Sequence, residues 1–267
     1  MLEESALYLG FGCVAGLLSG LMGIGGGIVI VPFLIWYFSQ RGFPADSVMT
    51  MAVATSLATI VVTSISAALA HQRRGAVDWW SVRQLTPGIL AGSVMGSIIA
   101  DRLPARTFKL IFAGFLLYAA LRMLMKPPGE PVVGDSAKHR FFGWAGTTIG
   151  ALSSILGIGG GTLSVPFLVR RGFPVRHAVA ISSACGFPIA VAGTATYIAL
   201  GWNNMGLPAW SLGYIYLPAL AGIMLTSVPF APLGAALAHR MPTQNLRILL
   251  AMVIGLTGGR LLWQALA

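Results

Sequence analysis

The sequence predicts an all-α polytopic membrane protein built from two inverted repeats. Its 267 residues are 56% hydrophobic and only 9% charged, whereas soluble domains carry about 25% charged residues. The few charges separate long apolar blocks, and the second half of the chain repeats motifs of the first. Together these observations predict a single membrane domain made of two homologous halves.

Eight apolar blocks fall four and four around a polar segment. They cover residues 6–38, 47–70, 84–100, 107–125, 141–169, 178–200, 211–238 and 245–266. The polar segment, KPPGEPVVGDSAKHR, is rich in proline, glycine and charge, which is typical of a linker. We therefore predict a first transmembrane repeat at 1–125, a cytoplasmic linker at 126–140 and a second transmembrane repeat at 141–267.

The first block of each half carries the same glycine cluster. GLLSGLMGIGGGIVIVPFLI at 16–35 aligns without a gap to GALSSILGIGGGTLSVPFLV at 150–169, with 12 of 20 positions identical. RGFP also recurs, at 41–44 and 171–174. Because glycine costs about 1 kcal/mol in a helix interior, each cluster should interrupt its helix. Each half is thus predicted to hold a glycine-broken hairpin followed by three further transmembrane helices.

The distribution of basic residues favours these hairpins over eight simple spans. If every block crossed the membrane once, the two sides would carry eight and nine Lys and Arg residues. With the hairpins, one side carries five and the other twelve, and the richer side is cytoplasmic by the positive-inside rule. Five elements per half would make the halves inverted, with both termini facing outward. Eight simple spans remain the alternative.

The glycine clusters are the predicted binding site. A broken helix is tolerated in a membrane only where it is buried in protein or lines a polar cavity. A helix that restarts after the break presents free N–H groups and a partial positive charge, which suit an anion. The alternative is close helix packing through small residues. The backbone donors would come from Gly25, Gly26, Gly27, Gly159, Gly160 and Gly161.

Hydroxyl side chains follow in the second block of each half. Thr55 and Ser56 lie in the first half, and Ser182 and Ser183 occupy approximately matching positions in the second. They are predicted to donate hydrogen bonds to the bound anion. The competing interpretation is that they bond to the carbonyls of their own helices, as membrane Ser and Thr residues commonly do.

Several classes of function are not supported by the sequence. No acid/base pair, activated nucleophile or metal-ligand cluster is present, so we predict no enzyme activity, no catalytic residue, no metal and no cofactor. The net charge of +10 follows from basic cytoplasmic loops and requires no nucleic acid. The predicted partners are a small anionic substrate and the lipid bilayer. A homodimer is allowed, although no subunit contact can be named.

Three stretches together resemble the sulfite exporter TauE/SafE family of membrane permeases. They are GLLSGLMGIGGGIVIVPFL, the later ATSL and ALAH at 54–57 and 68–71, and GALSSILGIGGGTLSVPFL followed by AISSACGFPIAVAGT. The resemblance implies transport of sulfite, of sulfonates such as sulfoacetate or taurine-related compounds, or of other small anions across the cell inner membrane, where the outward-facing termini would be periplasmic. We interpret the chain as an alternating-access transporter. An anion channel with paired re-entrant hairpins and a non-transporting accessory protein are the alternatives.

Overall fold

A computed structural model of the protein describes residues 8–17, 26–124, 142–238 and 243–266. These residues form ten α-helices and one two-stranded β-hairpin. The helices are α1 (Tyr8–Leu17), α2 (Gly27–Gln40), α3 (Val48–Gln72), α4 (Trp79–Arg102), α5 (Ala105–Leu124), α6 (Phe142–Leu156), α7 (Gly161–Arg170), α8 (Val175–Gly201), α9 (Leu217–Ala238) and α10 (Thr243–Leu266). The strands are β1 (Ser211–Leu212) and β2 (Ile215–Tyr216), which pair antiparallel.

Each half of the chain contributes five helices in the same order. The predicted interruption in the second half is confirmed, since α6 ends and α7 begins on either side of residues 157–160. The helices that follow the two glycine clusters are short, with 14 residues in α2 and 10 in α7. The predicted linker at 126–140 lies outside the described residues. Among those residues, α3, α5 and α8 are long and apolar enough to cross a membrane.

Helix α3 lies at the centre of the protein. Every residue from Val48 to Ile60 is buried, because α2, α8, α9 and the β-hairpin all pack against this helix. Helix α5 is different, since it is apolar around its whole circumference but buries only one stripe, which includes Phe108, Phe112 and Leu116. The buried stripe packs against α10, and the remaining apolar surface of α5 suits contact with lipid.

Small residues bring α4 and α6 into backbone contact. Gly88, Gly92 and Gly96 recur every four residues along one face of α4. A Cβ on Gly92 would overlap the backbone of Thr147 in α6, and the hydroxyl of Ser93 donates to the Gly150 carbonyl at 3.4 Å. This is the small-residue packing found where membrane helices approach closely.

Equivalent helices of the two halves pack against the opposite half in the same way. Helix α4 of the first half packs on α6, the first helix of the second half. Correspondingly, α9 of the second half packs on α1, since Cβ atoms on Gly12 and Gly16 would overlap Ile223 and Ser227. The first and fourth helices of each half therefore complete their packing only with the other half.

Helices in equivalent positions run antiparallel where they meet. In the α3–α8 pair, Leu57 lies near Gly193 and Ser64 lies near Gly186, so the residue numbers rise in opposite directions. In the α5–α10 pair, Leu116 lies near Gly258, and the Arg106 Nε donates to the Ala265 carbonyl at 2.8 Å. The third and the fifth helices of the two halves thus point in opposite directions.

Candidate functional site

The second glycine cluster forms a sharp, buried turn between α6 and α7. Helix α6 ends at Leu156, the next residue, Gly157, has a φ of 64° that suits glycine, and the Ile158 N–H returns to the Ser153 carbonyl at 3.0 Å. These are the features of a Schellman cap. Gly160 then caps α7, and its carbonyl accepts hydrogen bonds from Leu163 and Ser164. The chain therefore stops one helix and starts the next within four residues.

The start of α7 offers unused hydrogen-bond donors. The N–H groups of Gly161 and Thr162 belong to the first turn, where an α-helix has no carbonyl to offer them. No backbone acceptor for either N–H lies among the described residues. The helix dipole adds partial positive charge at this end. These N–H groups can donate hydrogen bonds to the oxygen atoms of an anion without the help of a charged side chain.

Helix α2 starts in a similar way after the first cluster. Gly26 has a φ of 70° and no side-chain cap, and its carbonyl accepts from the N–H groups of Val29 and Ile30 at 3.0 Å. Both Gly26 and Gly27 are buried. The third predicted donor of this cluster, Gly25, lies outside the described residues.

The structure brings the two glycine clusters into contact. A Cβ on Gly27 would overlap the carbonyl of Gly157 and lie 2.9 Å from the Cα of Ile158. On its other side, Gly157 packs against Val31 of α2 and Val53 of α3. The positive end of α2 therefore abuts the carbonyl end of α6, and Gly27 serves close packing between the two halves.

Three of the four predicted hydroxyls form hydrogen bonds within the protein, two of them to another structural element and one to its own helix. The Ser56 hydroxyl, fully buried on α3, donates to the Gly157 carbonyl at 2.8 Å. The Thr55 hydroxyl accepts from the Tyr216 N–H at 3.1 Å, and the Ser183 hydroxyl bonds back to the Val179 carbonyl at 2.9 Å. Ser182 is 1% exposed, and its hydroxyl has no partner among the described residues. Of the four, Ser182 alone has a buried hydroxyl that neither donates nor accepts a hydrogen bond among the described residues.

Two further hydroxyls at the second break were missed by sequence reasoning. Ser164 is 1% exposed, and neither its hydroxyl nor that of Thr162 finds a partner in the described part of the chain. A Cβ on Gly160 would lie 2.9 Å from the Ser164 Oγ and 3.6 Å from the Ser182 carbonyl. Ser164, Gly160 and Ser182 therefore share one region beside the start of α7.

The repeat alignment contained the signal for these hydroxyls. Thr162 and Ser164 fall on Ile28 and Ile30 of the first half. The two glycine clusters are nearly identical, yet only in the second do polar side chains lie within the first four residues of the short helix that follows. The positions at which the repeats differ, rather than those they share, therefore identify the second break as the one with polar side chains.

Among the described residues, no carboxylate lies at this break. The acidic residues in the described part of the chain are Asp46 before α3, Asp78 at the start of α4 and Asp101 at its end. No group of three metal-ligating side chains occurs there either. The second break is thus a neutral, buried region with hydrogen-bond donors.

A β-hairpin closes over the N-terminal half of α3. Gly213, with a φ of 55°, forms its turn against the Ile198 carbonyl of α8. Tyr216 packs edge-on against the rings of Phe38 and Phe43, at centroid distances of 5.6 and 5.2 Å. With the Thr55 contact, these rings fix the hairpin to the core of the protein.

Comparison with known proteins agrees with a membrane transporter. A family profile described as Sulfite exporter TauE/SafE matches residues 8–261. A probable membrane transporter protein of Haemophilus influenzae is 38% identical over 241 residues, covering 90% of this chain and 91% of that protein. A second, from Methanocaldococcus jannaschii, is 28% identical, covering 92% and 91%. YunE, a probable membrane transporter protein of Bacillus subtilis, is 27% identical and covers 96% of both chains.

No solved structure matches the chain. The family match extends across nearly all of the sequence, and it includes both glycine clusters and the helices that carry the hydroxyls. The similar proteins are named as transporters rather than enzymes. The chain belongs to the sulfite exporter TauE/SafE family.

Proposed function

We propose that the protein is a secondary transporter that moves a small sulfur-containing anion by alternating access, and that it holds this anion at the start of α7. The observation that carries the proposal is the set of buried, unpartnered hydroxyls beside the first turn of that helix. A buried polar group without a partner costs free energy, so these donors are better satisfied when a ligand is bound. Sulfite is the substrate that the family description suggests, and sulfonates such as sulfoacetate or taurine-related compounds are included in the proposal because they carry a similar group of charged oxygens.

The chemistry of the site suits a sulfur oxyanion. Sulfite and sulfonate groups spread negative charge over three oxygens, and each oxygen accepts hydrogen bonds. The N–H groups of Gly161 and Thr162 and the hydroxyls of Ser164 and Ser182 are neutral donors. Donors of this kind hold an anion without a buried cation, whose desolvation would be costly. Neutral donors also allow release, which a transporter requires.

The packing of the halves supports an inverted repeat in the membrane. The pairs α3–α8 and α5–α10 run antiparallel, as expected if a two-fold axis in the membrane plane relates the halves. We propose that the termini face the periplasm and the linker faces the cytoplasm of the inner membrane, because this orientation puts twelve of the 17 Lys and Arg residues on the cytoplasmic side. Rocking of one half against the other would then expose the second break to each side in turn.

Transport in proteoliposomes tests the site. The purified protein should take up sulfite or a sulfonate with saturation, whereas sulfate and chloride should compete weakly. Ser164→Ala and Ser182→Ala should each raise the KM by about tenfold or more, since a hydrogen bond to a charged ligand contributes about 1.5–3 kcal/mol. Ser183→Ala is the matched control, because that hydroxyl bonds to its own helix.

The other outcomes have defined meanings. Unchanged transport in both alanine variants would exclude the second break as the binding site. Flux that never saturates would indicate a channel. No flux of any anion, by an assay that also detects electroneutral exchange, would indicate an accessory protein.

The hairpin is positioned to form the barrier on one side of the site. Thr55→Val should weaken this barrier, because it leaves the Tyr216 N–H without its acceptor at a cost of about 1–3 kcal/mol. We expect amide exchange of the hairpin, residues 211–216, to accelerate by about tenfold. Thr63→Val is the control, since Thr63 bonds only within α3. Equal exchange in the two variants would show that Thr55 does not hold the hairpin.

A further inference from the structure

A cavity lies between α2 and α10, separate from the buried hydroxyls. It has a volume of about 470 Å³, and Phe11, Ile28, Pro32, Val253 and Ile254 contribute to its largely apolar wall. This volume is within the range of sites that bind small organic ligands. None of the residues in the proposed anion site lines it, so the transport proposal leaves it unexplained.

Polar residues occupy one end of this cavity. They are Ser39 and Gln40, the last residues of α2, and Arg260 and Gln264 near the end of α10. The apolar residues Ile28 and Val253 lie about seven to twelve positions earlier on the same helices. At 1.5 Å per residue, the apolar end is therefore some 10 to 18 Å away along the helix axes.

Both helices run toward the same side of the protein. A short loop joins the end of α2 to the start of α3, and α3 and α4 then each traverse the protein before α5 begins. The Arg106–Ala265 hydrogen bond places the end of α10 beside the start of α5. The polar residues on α2 and those on α10 therefore lie together at the boundary of the apolar region. The apolar end of the cavity extends from there toward the middle of the apolar region.

The polar end carries positive charge without a carboxylate. Arg260 is exposed, and no acidic residue lines the cavity. No ion pair to Arg260 occurs among the described residues. Arg106 adds a second guanidinium beside the same end of α10. An apolar cleft with a cationic mouth at the membrane boundary matches a ligand that has a hydrocarbon chain and an anionic head.

We propose that this cleft binds one anionic phospholipid of the surrounding bilayer, with an acyl chain between α2 and α10 and the phosphate at Arg260. Guanidinium groups bind phosphate oxygens in a bidentate geometry, and basic pockets between membrane helices recognise lipid head groups. A second copy of the chain fits less well, because a two-fold contact through this surface would bring two unpaired Arg260 residues into one interface.

Lipid binding to the purified full-length protein tests this proposal. Delipidated protein in neutral detergent is mixed with phosphatidylglycerol or phosphatidylcholine of the same acyl chains, and bound lipid is counted by native mass spectrometry. We expect phosphatidylglycerol to bind about tenfold more tightly, and Arg260→Gln to remove this preference. Val253→Trp, which fills the apolar part, should reduce the binding of both lipids.

Arg122→Gln is the matched control, because Arg122 aligns with Arg260 in the first repeat but does not line the cavity. It should bind both lipids as the unmodified protein does. Equal affinity for the two lipids, or a preference that persists in Arg260→Gln, would overturn the proposal. So would a dimer that dissociates in Val253→Trp, since the occupant would then be a second copy. Circular dichroism and gel filtration verify that each variant is folded.

Discussion

Replacing Gly92 with leucine is expected to prevent the protein from folding. A Cβ at this position would overlap the carbonyl of Thr147 and lie 2.8 Å from its Cα, so backbone rather than a movable side chain blocks the new group. Overpacking a well-packed interior typically costs about 1–3 kcal/mol, and separating α4 from α6 should cost more. The expected result is little or no monodisperse protein after detergent extraction.

Gly114→Leu is the matched control for that experiment. Gly114 lies on α5, and nothing lies within 4 Å of a Cβ built there. Its exposed position on an apolar helix suits contact with lipid, so the variant should be extracted and run as the unmodified protein does. If both variants behaved alike, close approach of α4 and α6 would not be required for folding.

Replacing Gly160 with valine is expected to abolish anion transport while the protein remains folded. Gly160 has a φ of −54°, which any residue can adopt, and a Cβ there would meet the ends of two side chains, Ser164 and Ile189. Both side chains can move, but the added group would occupy the space beside the unused donors. We expect the transport efficiency to fall by at least about tenfold, since several hydrogen bonds to the ligand would be lost.

Gly157→Ala separates this effect from simple misfolding. Gly157 has a φ of 64°, and its Cβ would lie 2.9 Å from the Cα of Val53. Left-handed backbone costs a residue with a side chain about 1–2 kcal/mol, and the Val53 backbone adds a steric cost. Thermal unfolding should therefore occur at lower temperature in Gly157→Ala than in Gly160→Val. A Gly160→Val protein that is folded and transports normally would remove the second break from the binding site.

Much of the fold was predictable because membrane constraints act on sequence patterns. Charges mark the ends of apolar blocks, and a cluster of four glycines in five positions cannot continue a helix. These rules predicted the break between α6 and α7, the short helix after each cluster and five helices in each half. The packing of α4 on α6 and of α9 on α1 was not predictable, since the glycines of α4 do not reveal which helix they meet.

Which hydroxyls bond within the protein and which one lacks a partner could not be predicted, for a different reason. Thr55, Ser56, Ser182 and Ser183 look equivalent in the sequence, but their roles depend on which carbonyl or N–H lies opposite. Ser56 meets the Gly157 carbonyl, 101 residues away, and Thr55 meets a hairpin that the apolar blocks did not suggest. Only the packed structure shows that Ser182 remains unused. Ser164 was not predicted, because it occupies a position at which the two repeats differ.

The packing of helices from one half against helices of the other also constrains the order in which contacts can form during synthesis. The glycine face of α4 has no partner until α6 has left the ribosome, and the glycine face of α1 must wait for α9, the last helix but one. Nearly the whole chain is therefore inserted before both glycine faces are covered. The hydrogen bond from Ser56 of α3 to the Gly157 carbonyl likewise forms late, because Gly157 belongs to the second half. Membrane chaperones and proteases would encounter an incomplete protein with open small-residue faces throughout this interval.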